Sequence, residues 1–368
     1  MQHRPYKEIE SLESMDRERK FYRHTAFQDV DFSKDPSLFE GVRFCDCCFL
    51  GCTIPDTMLQ CISSDSLILP DMDAPYRPFI SGLYTPESLY HGYDPERPES
   101  AAECFDRRVY DDYIANGKTC GSIKEALCRC MHDFSMSDAL EDFLEGYDRK
   151  KIVAIMGGHS MLRTDDKYRV VASIAKTLTE KGRLMVSGGG PGAMEATHLG
   201  AWMAGRSEEE FDEALRMLVP APTFRDEGWL ETVFEVRSRF PRDERYCSIG
   251  IPTWLYGHEP TTPFASHIAK FFDNSIRENF IISVPLGGII FSPGSAGTVR
   301  EIFQDAEQNH YRTLGVTSPM IFLGREYYTE TIPIHPLLEG LSRTGRFQNL
   351  ILSITDNPQE AVRSILEN

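Results

Sequence analysis

The sequence predicts an α/β protein that has a doubly wound parallel sheet and an N-terminal accessory region. Two observations lead to this fold class. From Lys151 onward, short apolar runs alternate with helical periods, and glycine-rich turns join several of the runs to the helices that follow. Repetition of strand, turn and helix is typical of βαβ units, in which the strands lie parallel. The length of 368 residues suits two domains, or one domain with a large extension.

The composition of the chain changes near residue 150. Residues 1–148 hold nine of the ten cysteines and a proline-rich stretch, Pro70–Pro98, that excludes a long helix there. Their pattern predicts an ordered accessory region without indicating its fold. Residues 149–368 are predicted to form the parallel α/β domain, in which ligands bind beyond the carboxyl ends of the strands.

The elements of the second region are predicted from apolar runs and from helical periodicity. The predicted strands are Ile152–Met156, Leu184–Val186, Leu215–Val219, Ser248–Ile251, Ile289–Phe291, Met320–Leu323 and Leu350–Ile354. The predicted helices are Tyr168–Lys181, Ala193–Ala204, Phe264–Asn279, Thr298–Asn309 and Pro358–Leu366. Residues 205–245 interrupt the rhythm with charged runs, and they indicate either a solvated helical insertion or a lid or subunit contact near the site.

Charge and hydropathy exclude several classes of protein. The formal net charge is −17, which repels phosphate backbones and disfavours nucleic acid as a partner. No run of about 18 apolar residues occurs, so no membrane partner is expected. The polar N-terminus and the many cysteines predict a cytoplasmic protein with reduced thiols. Five of the cysteines, Cys45 to Cys61, lack the paired spacing of zinc ligands, so no metal site is predicted.

Three glycine turns each follow an apolar run and open a helix. The first contains Gly157, Gly158, His159 and Ser160; the second runs from Ser187 through Gly188, Gly189, Gly190, Gly192 and Met194 to Glu195; the third contains Pro293, Gly294, Ser295, Ala296, Gly297 and Thr298. Glycines let backbone amides approach an anion, and a helix N-terminus adds positive potential. None has the spacing of a Walker loop or of a dinucleotide-binding turn. The turns therefore predict a site for a mononucleotide or a sugar phosphate.

Two of these turns resemble the motifs of a known family. Gly188-Gly189-Gly190-Pro191-Gly192-Ala193-Met194-Glu195-Ala196 resembles the GGGPGxMEA turn of the LOG ("lonely guy") family, and Pro293-Gly294-Ser295-Ala296-Gly297-Thr298-Val299-Arg300-Glu301 resembles its PGGxGTxxE motif. The family comprises cytokinin-activating phosphoribohydrolases and bacterial relatives, including nucleotide 5′-monophosphate nucleosidases, and was long labelled as lysine decarboxylases. The resemblance covers about residues 150–368 and implies a Rossmann-like fold.

The resemblance also implies an activity and its residues. Members hydrolyse the N-glycosidic bond of a nucleoside 5′-monophosphate and release the free base and ribose 5-phosphate. Glu301 matches the catalytic glutamate of the family, and Arg277 is the best match for its catalytic arginine, with Arg239, Arg242 and Arg245 as alternatives. The third turn, through its amides and Thr298, would bind the phosphate. No metal and no other cofactor are needed, and homodimers or larger assemblies of the chain are expected.

Several interpretations stay open at this level. Thr298 and Glu301 also fit a helix capping box, and Glu195 fits a partner of a helix dipole. Ser295 stands where the motif has its third glycine, and Glu278 stands where a lysine usually follows the arginine. Both departures admit an alternative function, a nucleotide-binding sensor or carrier that has little or no catalytic activity.

Overall fold

The computed structural model describes residues 6–70, 72 and 74–367. The chain forms two compact units. The first contains the residues up to Leu83 together with Asp112–Glu141, and the second contains Tyr84–Asp111 together with Asp142 and all later residues.

The first unit is built from very short parallel strands. Its strands are β1 (Lys7–Ile9), β2 (Phe21–Arg23), β3 (Thr25–Gln28), β4 (Arg43–Cys45), β5 (Cys48–Leu50) and β6 (Leu67–Leu69). They form one sheet in the order β1-β3-β5-β6 and a second sheet of β2 and β4. Every pairing among these strands is parallel, so the chain winds in successive coils that stack on one another as a small β-solenoid.

Stacked aromatic rings fill this solenoid. The ring of Phe27 lies parallel to that of Phe49 at 5.0 Å, and that of Tyr22 lies parallel to that of Phe44 at 5.4 Å. Phe27 pairs with Phe49, and Tyr22 with Phe44, across adjacent parallel strands. The repeated inward position of an aromatic residue in each coil therefore holds the coils together.

The described helices occur in both units, and from α5 onward they lie between or after the strands of the second unit. In chain order they are α1 (Asp56–Leu59), α2 (Pro86–Leu89), α3 (Phe105–Ala115), α4 (Ile123–Glu145), α5 (Asp166–Glu180), α6 (Ala193–Trp202), α7 (Glu208–Leu218), α8 (Trp229–Arg239), α9 (Asn274–Ser283), α10 (Ala296–Tyr311), α11 (Ile334–Arg343) and α12 (Pro358–Leu366). A π-helical turn covers Tyr327–Thr331. None of the described helices combines the length and the apolar character needed to span a bilayer.

The second unit has the predicted doubly wound parallel sheet. Its strands are β7 (Ile152–Met156), β8 (Leu184–Ser187), β9 (Ser248–Gly250), β10 (His267–Ile268), β11 (Ile289–Phe291), β12 (Pro319–Leu323) and β13 (Ile351–Thr355). Within the described residues the order is β10-β9-β8-β7-β11-β12-β13, and every pairing is parallel. The order reverses between β7 and β11, and ligands of doubly wound sheets bind at such a reversal. The Rossmann-like α/β fold class is confirmed.

Two predicted elements were wrong. The run Leu215–Val219 belongs to the end of helix α7 rather than to a strand, because a capping box of Ser207 and Glu210 starts that helix and its apolar face is buried. The predicted helix Phe264–Asn279 is divided between β10 and α9. Asp273 caps the first turn of α9 with its side chain and thereby sets the start of that helix. Residues 205–245 hold α7 and α8.

Candidate functional site

The three glycine turns meet at the carboxyl edge of the sheet. They follow β7, β8 and β11, two of which are adjacent at the reversal point. Backbone hydrogen bonds join them: the amide of Gly158 donates to Pro293 O at 3.1 Å, and the amide of Ala193 donates to Gly158 O at 3.2 Å. The first turn therefore links the second and third turns into one surface of backbone groups.

Close packing explains the glycines at two positions of these turns. Gly192 has a φ of +70°, and a Cβ there would lie 2.5 Å from the carbonyl oxygen of Gly158. A Cβ on Gly294 would lie 2.2 Å from Oγ1 of Thr298. Any larger residue at either position would push the turns apart or displace the Thr298 hydroxyl.

The N-terminus of α10 opens at this surface. Ser295, Ala296 and Gly297 are exposed, whereas Thr298 is buried. The first amides of a helix have no partner within the helix and carry partial positive charge, so they attract an anion. Ser295 has a φ of −103°, which serine adopts without strain. The substitution of the motif glycine by Ser295 therefore imposes no left-handed backbone.

The capping interpretation of Thr298 and Glu301 does not fit this helix. Ser295 is the N-cap residue of α10, and no side chain caps the helix at that end. Thr298 lies inside the first turn. The carboxylate of Glu301 is left to face the site.

Glu301 and Arg277 lie together in the site. Nη1 of Arg277 lies 3.9 Å from Oε1 of Glu301, and both side chains are almost completely buried. Burial raises the pKa of Glu301, and the charge of Glu278 raises it too, while the charges of Arg277 and Arg300 lower it. A carboxylate with a raised pKa beside an arginine is a suitable general base and electrostatic stabiliser.

Arg277 is held by the backbone of two strand ends. Its Nε donates to the carbonyl of Ile251 at 2.8 Å, and its Nη2 lies 3.5 Å from the carbonyl of Gly188. A Cβ on Gly188 would lie 2.3 Å from that Nη2. The glycine of the second turn thus makes room for the guanidinium. The alternatives Arg239, Arg242 and Arg245 bind Glu213, the Tyr246 carbonyl and Asp243 instead.

The negative charge of Glu278 is compensated by a neighbouring arginine. Nη2 of Arg300 lies 2.5 Å from one of its carboxylate oxygens, and the amide of Asn274 donates to the other at 2.7 Å. The side chain is buried and lines the site. Its charge is therefore compensated by an arginine from α10, and the local field is less unfavourable to a phosphate than the sequence alone indicates.

Two tyrosines of the π-helical turn fix the third turn from behind. The hydroxyl of Tyr327 donates to Gly294 O at 2.5 Å, and that of Tyr328 donates to Ser292 O at 2.7 Å. Burial raises the pKa of Tyr328. The Tyr328 hydroxyl therefore stays protonated and can donate its hydrogen bond, and the two hydrogen bonds together hold the backbone of the third turn.

These groups surround a cavity of about 250 Å³. Of the predicted site residues, those that line it are Gly158, Gly188, Gly190, Met194, Arg277, Ser295, Gly297, Thr298 and Glu301. Those that belong to the turns without lining it are Ser160, Gly189, Gly192, Glu195, Pro293, Gly294 and Ala296. The second set includes the glycines that shape the turns; their part in nucleotide binding stays a prediction.

Glu195 faces away from the cavity, into the interior. It forms a bidentate ion pair with Arg163, with Nη2 to Oε1 at 2.5 Å and Nε to Oε2 at 3.1 Å. Both side chains are 1% exposed. Arg163 also donates to the carbonyls of Ala221 and Trp229. The pair joins the second turn to the segment before α8, and Arg163 is not a surface charge.

One wall of the cavity comes from residues that the turns do not include. Its members are Pro252, Thr253, Tyr256, Glu259 and Pro260, all from the segment after β9. The glycine turns do not indicate this wall, which corresponds in the sequence to residues 252–260. Nδ1 of His159 lies 3.5 Å from Oε1 of Glu259.

A buried ion pair anchors the same wall. Nζ of Lys270 donates to Asp106 at 2.6 and 2.8 Å and to Thr261 Oγ1 at 2.8 Å, and Nε1 of Trp254 donates to Asp106 at 2.9 Å. Lys270 is 1% exposed. The segment between β9 and β10 is therefore tied to the start of α3, within the second unit.

Comparisons with known proteins give distant structural likenesses. Neither a protein-family model nor a curated protein matches the chain. Similar solved structures include the molybdenum cofactor binding protein of Rippkaea orientalis (14% identity, 59% of this chain, 95% of that chain, TM-score 0.37). Another is the molybdenum cofactor carrier protein of Chlamydomonas reinhardtii (13% identity, 59% of this chain, 96% of that chain, TM-score 0.36). A third is TM1055 (17% identity, 59% of this chain, 99% of that chain, TM-score 0.38). The assignment of the fold class therefore rests on the strand order of this chain and not on these comparisons.

Proposed function

We propose that the protein hydrolyses the N-glycosidic bond of nucleoside 5′-monophosphates and releases the free base and ribose 5-phosphate. The observation that carries the proposal is the buried pair of Glu301 and Arg277 beside the open N-terminus of α10. The resemblance of the two glycine turns to LOG motifs supports the same activity. The reaction as proposed uses no metal ion.

The phosphate would bind at the third turn. The free amides at the start of α10 and the hydroxyl of Thr298 supply donors, and the helix dipole supplies positive potential. The guanidinium of Arg277 adds a full positive charge and planar donors beside the same surface. A phosphate held there fixes the ribose between the turn and Glu301, so orientation contributes to the rate.

The chemical step would use the carboxylate of Glu301. As the bond between C1′ and the base nitrogen breaks, its electron pair leaves with the base and positive charge develops on the ribose ring. An ionised Glu301 stabilises that charge and accepts a proton from the water that attacks C1′. The base gains its proton from solvent. Ribose 5-phosphate and the free base account for all atoms of the nucleotide and the water.

Release of free base from a panel of nucleoside monophosphates tests the proposal. Chromatography would follow AMP, GMP, IMP, CMP and UMP with wild type, with Glu301→Gln and with no enzyme. We expect release by wild type and a loss of at least about 100-fold in Glu301→Gln. Tight binding of one nucleotide without release would contradict the hydrolase and would assign the protein to the sensor or carrier class.

A further inference from the structure

A row of apolar side chains lies exposed along α4 in the first unit. Ile123, Leu127 and Phe134 keep 83%, 51% and 59% of their surface accessible, and Cys130 is exposed beside them. The opposite face of the helix is buried, as Met136 at 0% shows. Soluble monomers rarely leave a large contiguous apolar patch open to water, because such patches usually bind another surface. We therefore expect a partner to cover this row.

The spacing of the row indicates what kind of partner fits it. Its members follow one another by four, three and four residues, from Ile123 through Leu127 and Cys130 to Phe134. This is the spacing of core positions in a helix–helix seam, in which each side chain enters a hole on the facing helix. A second helix is therefore the complementary surface.

The row is also its own complement. When two copies of this helix run antiparallel, the outer members Ile123 and Phe134 face each other, and so do the inner members Leu127 and Cys130. Each contact then occurs twice, as in an interface with a two-fold axis. The large side chains of Ile123 and Phe134 face each other at the two ends, and at the centre Leu127 packs against the small Cys130 of the other copy.

We propose that α4 forms an interface between two copies of the chain, in which Ile123, Leu127, Cys130 and Phe134 pair antiparallel about a two-fold axis. Lys124 supports this orientation. It is exposed next to the row. In a parallel pair the two Lys124 ammonium groups would lie side by side and repel, whereas antiparallel pairing places them at opposite ends of the seam. None of the four residues in the row lines the candidate active site, so the proposal does not rest on the hydrolase activity.

Sedimentation velocity of the full chain tests the interface. The comparison is between wild type, Leu127→Glu and Ile114→Glu. Ile114 on α3 is 44% exposed and lies outside the row, so it provides a control for a new charge at an exposed apolar position. We expect wild type to sediment as an assembly, Leu127→Glu to halve that mass, and Ile114→Glu to leave it unchanged. A monomeric wild type, or an unchanged mass in Leu127→Glu, would overturn the proposal.

Cross-linking tests the antiparallel arrangement directly. Leu127→Cys places a thiol opposite the partner's Cys130, and mild oxidation is expected to give a covalent dimer on a non-reducing gel. The same variant with Cys130→Ser should give none, although the other cysteines remain. Efficient cross-linking of wild type through Cys130 alone, without a gain in Leu127→Cys, would indicate parallel pairing and overturn the antiparallel seam. Circular dichroism confirms that each variant keeps its fold.

Discussion

The guanidinium of Arg277, on α9, lies 3.9 Å from the carboxylate of Glu301, on α10, where both face the cavity beyond the sheet. The two residues are 24 positions apart in the chain and come from successive helices. A charge pair that is nine-tenths buried is retained at a cost in solvation. The pair lies beside the uncapped N-terminus of α10, and a buried charge pair that lines a cavity is typical of a functional site.

Replacement of Glu301 by glutamine separates chemistry from binding. The amide keeps the size of the side chain but cannot accept a proton from water or stabilise a positive ribose. We expect kcat for base release to fall by about 10²–10⁴-fold. The Kd of AMP, measured by calorimetry, should change less than about threefold. Equal losses in binding and in thermal stability would instead support a structural role for Glu301.

Replacement of Arg277 tests the phosphate contact that we propose for it. Arg277→Lys keeps the charge but loses the planar fork and the hydrogen bond to Ile251. Arg277→Ala loses the charge as well. We expect kcat/KM to fall in both variants, more in Arg277→Ala, with KM contributing to the loss. Steady-state kinetics on AMP measure it, and unchanged constants in Arg277→Ala would assign the role to another cation.

The acid limb of the pH–rate profile should report Glu301. Burial raises the pKa of this carboxyl. Because the ionised form is the active one, base release rises with pH, with a midpoint above the usual glutamate value of about 4.3. The charge of Glu278 also raises the pKa of Glu301. Glu278→Gln should therefore move the limb to lower pH, and a limb that stays in place would show that another group titrates.

The ion pair of Glu195 and Arg163 should contribute to stability rather than to turnover. Glu195→Gln leaves the guanidinium of Arg163 buried without a counter-charge. We expect the free energy of unfolding to fall by about 3 kcal/mol, measured with urea, while KM for AMP stays near that of wild type. A large rise in KM with unchanged stability would place Glu195 in nucleotide binding, as its position in the second turn predicts.

Asp305 should make the stability of the protein fall as the pH rises from acidic to neutral. It is fully buried, neither carboxylate oxygen has a hydrogen-bond partner among the described residues, and burial raises its pKa well above the usual value. The folded chain then binds this proton more tightly than the unfolded chain. Stability accordingly falls as pH rises above about 4, by up to about 1.4 kcal/mol per pH unit.

Asp305→Asn removes that titration. The variant should lose less stability than wild type between pH 5 and pH 8, with thermal unfolding as the measurement. Asp166→Asn, at the start of α5, serves as a control substitution of an aspartate outside the core. Parallel curves for wild type and Asp305→Asn would show that Asp305 does not hold its proton.

Much of the second unit could be predicted from the sequence. The apolar runs at Ile152–Met156 and Ile289–Phe291 are buried strands, and Gly188–Gly192 connects a strand to a helix as expected. The glycine turns that follow these runs mark where each strand ends, so local pattern identifies even the three-residue strand Ile289–Phe291. The run Leu215–Val219 misled because a short apolar segment at the end of an amphipathic helix has the same composition as a buried strand.

The first unit shows the opposite case. Its strands have only three or four residues, too few to display an alternation, and the aromatic residues that stack between coils lie at unequal distances along the chain. Phe27 and Phe49 become neighbours only when the coils are stacked. No local pattern contains that contact.

The sequence by itself determined the α/β class, the three glycine turns and the place of Glu301 near the start of the helix that follows the third turn. Each of these depends on residues that are close together in the chain. The tertiary structure decided which groups share the cavity. It brought Arg277 to Glu301, neutralised Glu278 with Arg300 and turned Glu195 inward to Arg163. Burial and charge at these positions depend on neighbours that are distant in sequence, and only the folded chain supplies them.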